Sequence, residues 1–97
     1  MTSTVAHQTD KSRFVITVDG EEAGHADYVD TATTRDFTHT EIYEAFQGQG
    51  LSKPLIKAAL DDDSTAGRQV IASCSAVARF IEKNPEYKRL TAVEGEL

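Results

Sequence analysis

The amino-acid sequence predicts a mixed α/β domain of the α+β kind, an antiparallel meander followed by a β-α-β-α unit. Three observations carry that expectation. Runs of β-branched and aromatic residues, separated by turn residues, fill residues 14–43. The stretch 42–52 (IYEAFQGQGLS) then joins the last of those runs to a helical pattern through a loop containing Gly48 and Gly50. A second short apolar run and a second helical pattern follow over residues 69–83.

Taken in order, residues 1–13 (MTSTVAHQTDKSR) are polar, with no hydrophobic segment resembling a secretory signal, and are expected to form a disordered leader. Residues 14–18 (FVITV) read as the first strand, 19–22 (DGEE) as a hairpin loop opened by Asp19-Gly20, and 23–29 (AGHADYV) as the returning strand. After a polar connection, residues 36–43 read as a third strand. Its alternation puts Phe37, His39, Glu41 and Tyr43 on one face and Asp36, Thr38, Thr40 and Ile42 on the other. Both faces carry polar groups, so this is not a plain core strand.

Residues 50–66 form the first predicted helix, with Leu51, Leu55, Ile56, Ala59 and Leu60 as its apolar stripe. Pro54 is tolerated only in a first turn, which places the helix start near Gly50 to Ser52. Gly67 is expected to end it in a left-handed conformation. The run Asp61-Asp62-Asp63 reads as a solvated face; a metal site would need ligands converging from elsewhere, and no metal is expected. Residues 69–73 give the fourth strand, parallel to the third, and 75–83 the last helix, with Val77, Phe80 and Ile81 on one face. Asn84-Pro85 stops that helix. One domain over residues 14–90, with a flexible tail at 91–97, is the organisation these patterns predict.

A chain of 97 residues holds one modest core, and its 39% hydrophobic and 27% charged content fits a folded globular domain. No apolar run approaches the length of a membrane span. A net charge of −6, from 16 acidic against 10 basic residues, argues against nucleic acid and anionic membrane as partners and is compatible with a cationic substrate such as an amine. The single cysteine precludes an intrachain disulfide and suits a reducing compartment, so a cytoplasmic protein is expected.

The strand–loop–helix at residues 42–52 carries the first chemistry. Glycine lets a ligand approach the main chain closely, and the first amides of a helix lack intrahelical partners at the positive end of the macrodipole. Such a unit is a natural phosphate cradle, or equally a tight β–α connection with two turn glycines. Cys74 lies between a strand and a helix start, where thiolate is favoured; it reads as a nucleophile or as a small buried hydrophobe. His39 and Glu41, two apart on one strand face, read as a general base pair or as a structural polar pair. His25 and His7 are secondary candidates.

The segment Gln47-Gly48-Gln49-Gly50-Leu51-Ser52 resembles the Gln/Arg-x-x-Gly-x-Gly/Ala loop of the GNAT superfamily of acetyltransferases. The ordered set HTEIYEAFQGQGLS, ASCS and NPEY resembles a short branch of GNAT-like N-acetyltransferases that keeps little beyond the acetyl-CoA half of the fold. The resemblance spans about residues 14–90; Ser52 departs from the usual Gly or Ala, a small residue able to cap a helix.

The resemblance implies an acyl-CoA N-acyltransferase fold truncated at both ends. It implies acetyl-CoA as cofactor, with pyrophosphate on the amides of Gln47, Gly48, Gln49, Gly50, Leu51 and Ser52, charge added by Lys53, and pantetheine along the third strand near Glu41, Ile42 and Tyr43. The third and fourth strands would splay apart, with the thioester near the gap and Cys74 beside it. His39 or Glu41 would take a proton from the amine, and Tyr87 would protonate the departing CoA thiolate or simply pack. The acceptor would be a small-molecule or protein amine, and a homodimer or a monomer would form the cleft. A catalytically weak CoA-binding regulatory module, or a scaffold without cofactor, are the alternatives.

Overall fold

Residues 2–91 are described in the computed structural model. One five-stranded sheet, in the order β1-β2-β3-β4-β5, organises them: β1 Ser3–Gln8, β2 Arg13–Val18, β3 Glu21–Asp30, β4 Thr34–Ile42 and β5 Gln69–Ala72. β1 to β4 are antiparallel neighbours, and β5 pairs in parallel with β4 after the crossover. The helices are α1 Ser52–Asp61, α2 Asp63–Ala66 and α3 Ser75–Lys83, followed by a 3-10 helix at Pro85–Thr91. Among the described residues no helix is long and apolar enough to cross a membrane.

The core lies between the helices and one face of the sheet. Phe14, Ile16, Tyr28, Phe37 and Val70 meet Leu55, Ile56, Ala59, Leu60, Val77 and Ile81 there, and Tyr87 and Leu90 close its end. Among the described residues no helix covers the opposite sheet face, where His25, His39, Glu41, Val29 and Ile71 lie. Burial of the helices' apolar stripes on one side stabilises the fold at roughly 25 cal/mol per Å² of apolar surface removed from water.

Four expectations are corrected. The expected leader, residues 1–13, contains strand β1, paired along its whole length from Ser3↔Val18 to Gln8↔Arg13. Val5 packs on the core and the His7 ring stacks on Phe14 at 4.2 Å, contacts between distant residues that a polar composition does not announce. The first helix breaks at Asp62, whose extended backbone (ψ 141) and side chain, accepting from the Ser64 N–H at 3.0 Å, cap α2. Gly67 has φ −92, so no left-handed cap ends that helix. The expected tail, apart from Thr91, lies outside the described residues.

The fourth correction matters most for function. Tyr28 pairs with Phe37 and Asp27 with His39, so Thr38 is an extra, unpartnered residue in β4. The bulge reverses the alternation. Phe37 faces the helices at 1% exposure; beyond the bulge the helix-facing positions are Thr40 and Ile42. His39 and Glu41 therefore lie on the face opposite Phe37, not with it.

Candidate functional site

The loop after β4 starts with a 3-10 turn, Glu44–Phe46, and is tied back by Gln47, whose Nε2 donates to the Ile42 carbonyl at 3.0 Å. Gly48 (φ +86) and Gly50 (φ +69) take left-handed conformations that side-chain-bearing residues rarely adopt, with the exposed Gln49 between them. Leu51 is buried and anchors the loop to the core. No side chain caps α1: Leu51 stands at its N-cap and Ser52 is its first residue, not its cap. The N–H groups of Gly50, Leu51, Ser52 and Lys53 make no hydrogen bond to another described residue. They are free for an anion at the positive end of the helix.

Beside these amides is a cavity of about 340 Å³ between the start of α1 and the outer side of α3. Ser52, Lys53 and Ile56 line it from α1; Ala76, Arg79, Phe80, Lys83 and Asn84 line it from α3 and its C-cap. Three of the chain's ten Lys and Arg residues thus meet at one hollow of a protein with net charge −6. The wall between them is apolar and aromatic, which suits a ligand carrying both phosphate and hydrophobic parts.

The strands open next to this cavity. β4–β5 pairing runs from Thr34↔Gln69 to Phe37↔Ala72, and a last bond joins the Cys74 N–H to the Phe37 carbonyl at 2.8 Å. β5 then gives way to α3, while β4 continues to Ile42 with no strand partner on that side among the described residues. Cys74 sits in the opening, nearly buried, its Sγ 3.4 Å from Thr40 Oγ1. Burial pushes the thiol pKa up, but the Thr40 hydroxyl and the amides of Val77, Ala76 and Thr40 favour the thiolate more strongly, and the net shift is downward.

On the uncovered face, His39 Nε2 lies 3.4 Å from Glu41 Oε1, with both side chains about half exposed. The adjacent strand adds His25, whose Nδ1 is 2.8 Å from Asp27 Oδ1 and whose Nε2 is 3.9 Å from the same Glu41 oxygen. Tyr43 stands here too. Its ring centroid is 5.8 Å from that of His25, and its hydroxyl donates to Glu22, a bond that with burial raises its pKa to about 12. Tyr43 thus turns its ring away from the cavity, and its amide is bonded to the Ala23 carbonyl. Tyr87 does not join the opening: its hydroxyl donates to Asp61 at 2.8 Å and accepts from Lys57 at 3.3 Å, at the far end of α1. Burial first, and the Asp61 carboxylate second, raise its pKa. Among the described residues no group of three or more His, Cys, Asp and Glu side chains is arranged to hold a metal ion.

Comparison with known proteins gives this arrangement its setting. The profile of the GCN5-related N-acetyl-transferase family matches residues 13–90. The chain belongs to the GCN5-related N-acetyltransferase family. It is similar to Protein NATD1 of Bos taurus, 36% identical over 50 residues that make up 52% of this chain and 44% of the bovine protein. Protein NATD1 of Danio rerio aligns more widely, 28% identical over 92 residues covering 92% of this chain and 83% of that protein. The solution structure of a GCN5-like protein from Staphylococcus aureus superposes with a TM-score of 0.67 at 22% identity, covering 96% of this chain and 92% of that one, a likeness of fold.

Within this GCN5-related domain, of the expected loop residues Gln47 to Lys53 the structure brings Ser52 and Lys53 to the cavity wall, it puts Cys74 at the opening, and it places His39 and Glu41 together on the far face. Sequence reasoning missed Arg79, Phe80, Lys83 and Asn84. A signal for two of them was present: Arg79 and Lys83 are like charges one turn apart, an arrangement that destabilises an isolated helix and so invites a functional reason. Asp27 was also missed, because nothing in a local pattern marks it as the partner of His25.

Proposed function

We propose that this chain binds acetyl-CoA in the cleft between α1 and α3 and transfers the acetyl group to an amine. The observation that carries the reading is the convergence of Lys53, Arg79 and Lys83 with the start of α1, where the Ser52 and Lys53 amides make no hydrogen bond to another described residue, at one cavity of an otherwise acidic protein. The amides and cations would hold phosphates, Ile56 and Phe80 would cover the apolar parts, and the partnerless edge of β4 offers main-chain groups to an extended arm as an added strand would. When bound, acetyl-CoA supplies an activated acyl group. The chain's own part is to hold it beside Cys74 and Thr40, to shield it from water, and to take the proton that the amine must lose.

Family membership supports the reading. Cys74, with its pKa shifted toward the thiolate, is the candidate first acceptor of the acetyl group. A protein with one free thiol suits the cytoplasm, and the acceptor amine, on a small molecule or a protein, would approach from the uncovered face of a monomer or homodimer.

Calorimetry with CoA tests the cradle. Gly50→Val, which strains a left-handed residue and puts a branched side chain at the cradle, should weaken binding severely; the Lys53→Ala, Arg79→Ala, Lys83→Ala triple variant should weaken it in a salt-dependent manner. Folded variants with wild-type CoA affinity would refute the cradle. Mass analysis after incubation with acetyl-CoA should find one acetyl group on Cys74, whereas full turnover in Cys74→Ala would make the transfer direct. Binding without turnover over a panel of amines and lysine peptides would favour the regulatory module.

A further inference from the structure

The uncovered sheet face holds a second imidazole better placed for proton transfer than His39. His25 is 13% exposed and fixed by a 2.8 Å contact between Nδ1 and Asp27 Oδ1, whereas His39 is 58% exposed and, among the described residues, has Glu41 as its one polar side-chain partner. An ionised carboxylate only accepts hydrogen bonds, so Asp27 draws the imidazole hydrogen to Nδ1 and leaves Nε2 with a free lone pair. That lone pair faces Glu41 Oε1 at 3.9 Å, and Glu41, half exposed at the end of β4, has room to close the distance. The cross-strand neighbour of His25 on β2 is the buried Val15; the other charged or titratable groups around it are His39, Tyr43, Glu22 and Arg13, the last two 3.9 Å apart.

We infer that Asp27 and His25 are a positioning pair behind Glu41: Asp27 holds the imidazole, and His25 Nε2 receives the proton that Glu41 takes from the acceptor's ammonium. The step balances within the site. The ammonium gives one proton to the Glu41 carboxylate, and the freed electron pair on nitrogen attacks the acetyl carbonyl carbon; the C–S bond of the thioester then breaks, and the departing thiolate takes the second proton that the nitrogen loses as the amide forms. Glu41 passes the proton to His25 Nε2, Asp27 supplies the countercharge to the imidazolium, and the imidazolium releases a proton to water. His39 is then a bystander at the rim. This inference rests on the acetyltransferase reading above.

The test compares His25→Ala, His39→Ala and Asp27→Asn in steady-state acetyl transfer across pH, using an amine that the wild-type chain acetylates. His25→Ala should lower kcat by about 10²-fold with KM for acetyl-CoA unchanged, and added imidazole should restore part of the rate, which no structural role would allow. Asp27→Asn should lower kcat less than His25→Ala does, with KM for acetyl-CoA again unchanged. Nitrogen NMR gives a reading independent of turnover: neutral His25 should carry its hydrogen on Nδ1, and Asp27→Ala should move it to Nε2. Wild-type kcat and pH profile in His25→Ala would overturn the inference, as would loss and imidazole rescue in His39→Ala instead. Failure to bind acetyl-CoA, or binding with no amine acetylated, would overturn the transferase reading itself and this inference with it.

Discussion

The two halves of β4 share one strand and live in different environments. From Thr34 to Phe37 the strand is paired on both sides, with β3 and with β5, and its inward side chains, Arg35 and Phe37, are buried. From the bulge at Thr38 to Ile42 it keeps β3 alone, its β5 edge is open, and His39 and Glu41 stand in solvent. A half-strand with satisfied backbone and buried side chains supports the fold. The half that gives up one row of hydrogen bonds leaves main-chain groups and the Glu41 carboxylate open, with the nearly buried Cys74 thiol beside them. The bulge separates the two, and by reversing the alternation it puts Thr40 against Cys74 and Glu41 on the other face, so that one strand serves both sides of the opening.

If that division is right, the largest stability loss should come from the first half. Arg35 is 3% exposed; it donates to both Asp30 carboxylate oxygens at 2.8 and 2.9 Å and to Ser64 and Thr65 at 2.7 and 3.0 Å, with its guanidinium 4.0 Å from the Tyr28 ring centroid. Arg35→Ala strips Asp30 of both its guanidinium hydrogen bonds, leaving it Arg68 at 3.6 Å, and opens a void; it should cost about 3 kcal/mol, which in a domain of this size is a fall in Tm on the order of 10–20 °C. Arg35→Met should recover part of the loss by filling the space. His39→Ala and Glu41→Ala in the second half should stay within about 0.5 kcal/mol. Equal losses in denaturant titrations of the two sets would break the comparison.

The sequence disclosed the two halves unequally. The apolar stripe of Leu55, Ile56, Ala59 and Leu60, the glycine loop and the helix 75–83 are local patterns, and each lies in the structure where its period and punctuation put it. β1 is held by long-range pairing and by His7 on Phe14, and the bulge by the register of β3 against β4; neither leaves a local signature. For the same reason the cavity was half legible. Lys53 belongs to the loop motif, but Arg79 and Lys83 reach it only because α3 packs against α1.

A pH titration sharpens the comparison with a smaller effect. The hydrogen bonds from Arg35 lower the Asp30 pKa against the opposing effect of burial, and Lys57 does the same for Asp61 with help from Tyr87. Both carboxyl groups titrate lower in the folded chain than in the unfolded one. Their contribution is therefore complete above the unfolded carboxylate range, near pKa ~3.9, and is lost as pH falls through the folded values. The urea midpoint should be insensitive to these groups near neutrality and fall in acid. Arg35→Met should flatten that acid limb. An acid limb unchanged by Arg35→Met would mean that Asp30 does not draw its charge stabilisation from the paired half.

The smallest effect falls on the thiol at the opening. In the thiol form Cys74 donates to Thr40 Oγ1 at 3.4 Å; as thiolate it would accept from the same hydroxyl, which turns to donate. Thr40→Val keeps the shape and removes that donor, so thiolate is less favoured and alkylation of Cys74 by iodoacetamide at neutral pH should slow severalfold. The loss is partial because the amides of Val77, Ala76 and Thr40 still face the sulfur. Thr40→Ser retains a hydroxyl and should react nearly as fast as wild type. Stability should change by less than about 1 kcal/mol, since one neutral hydrogen bond is exchanged for a methyl group. If Thr40→Val alkylates at the wild-type rate, the amides at the start of α3 govern the thiol alone, and the second half of β4 contributes only an edge and a carboxylate to the opening.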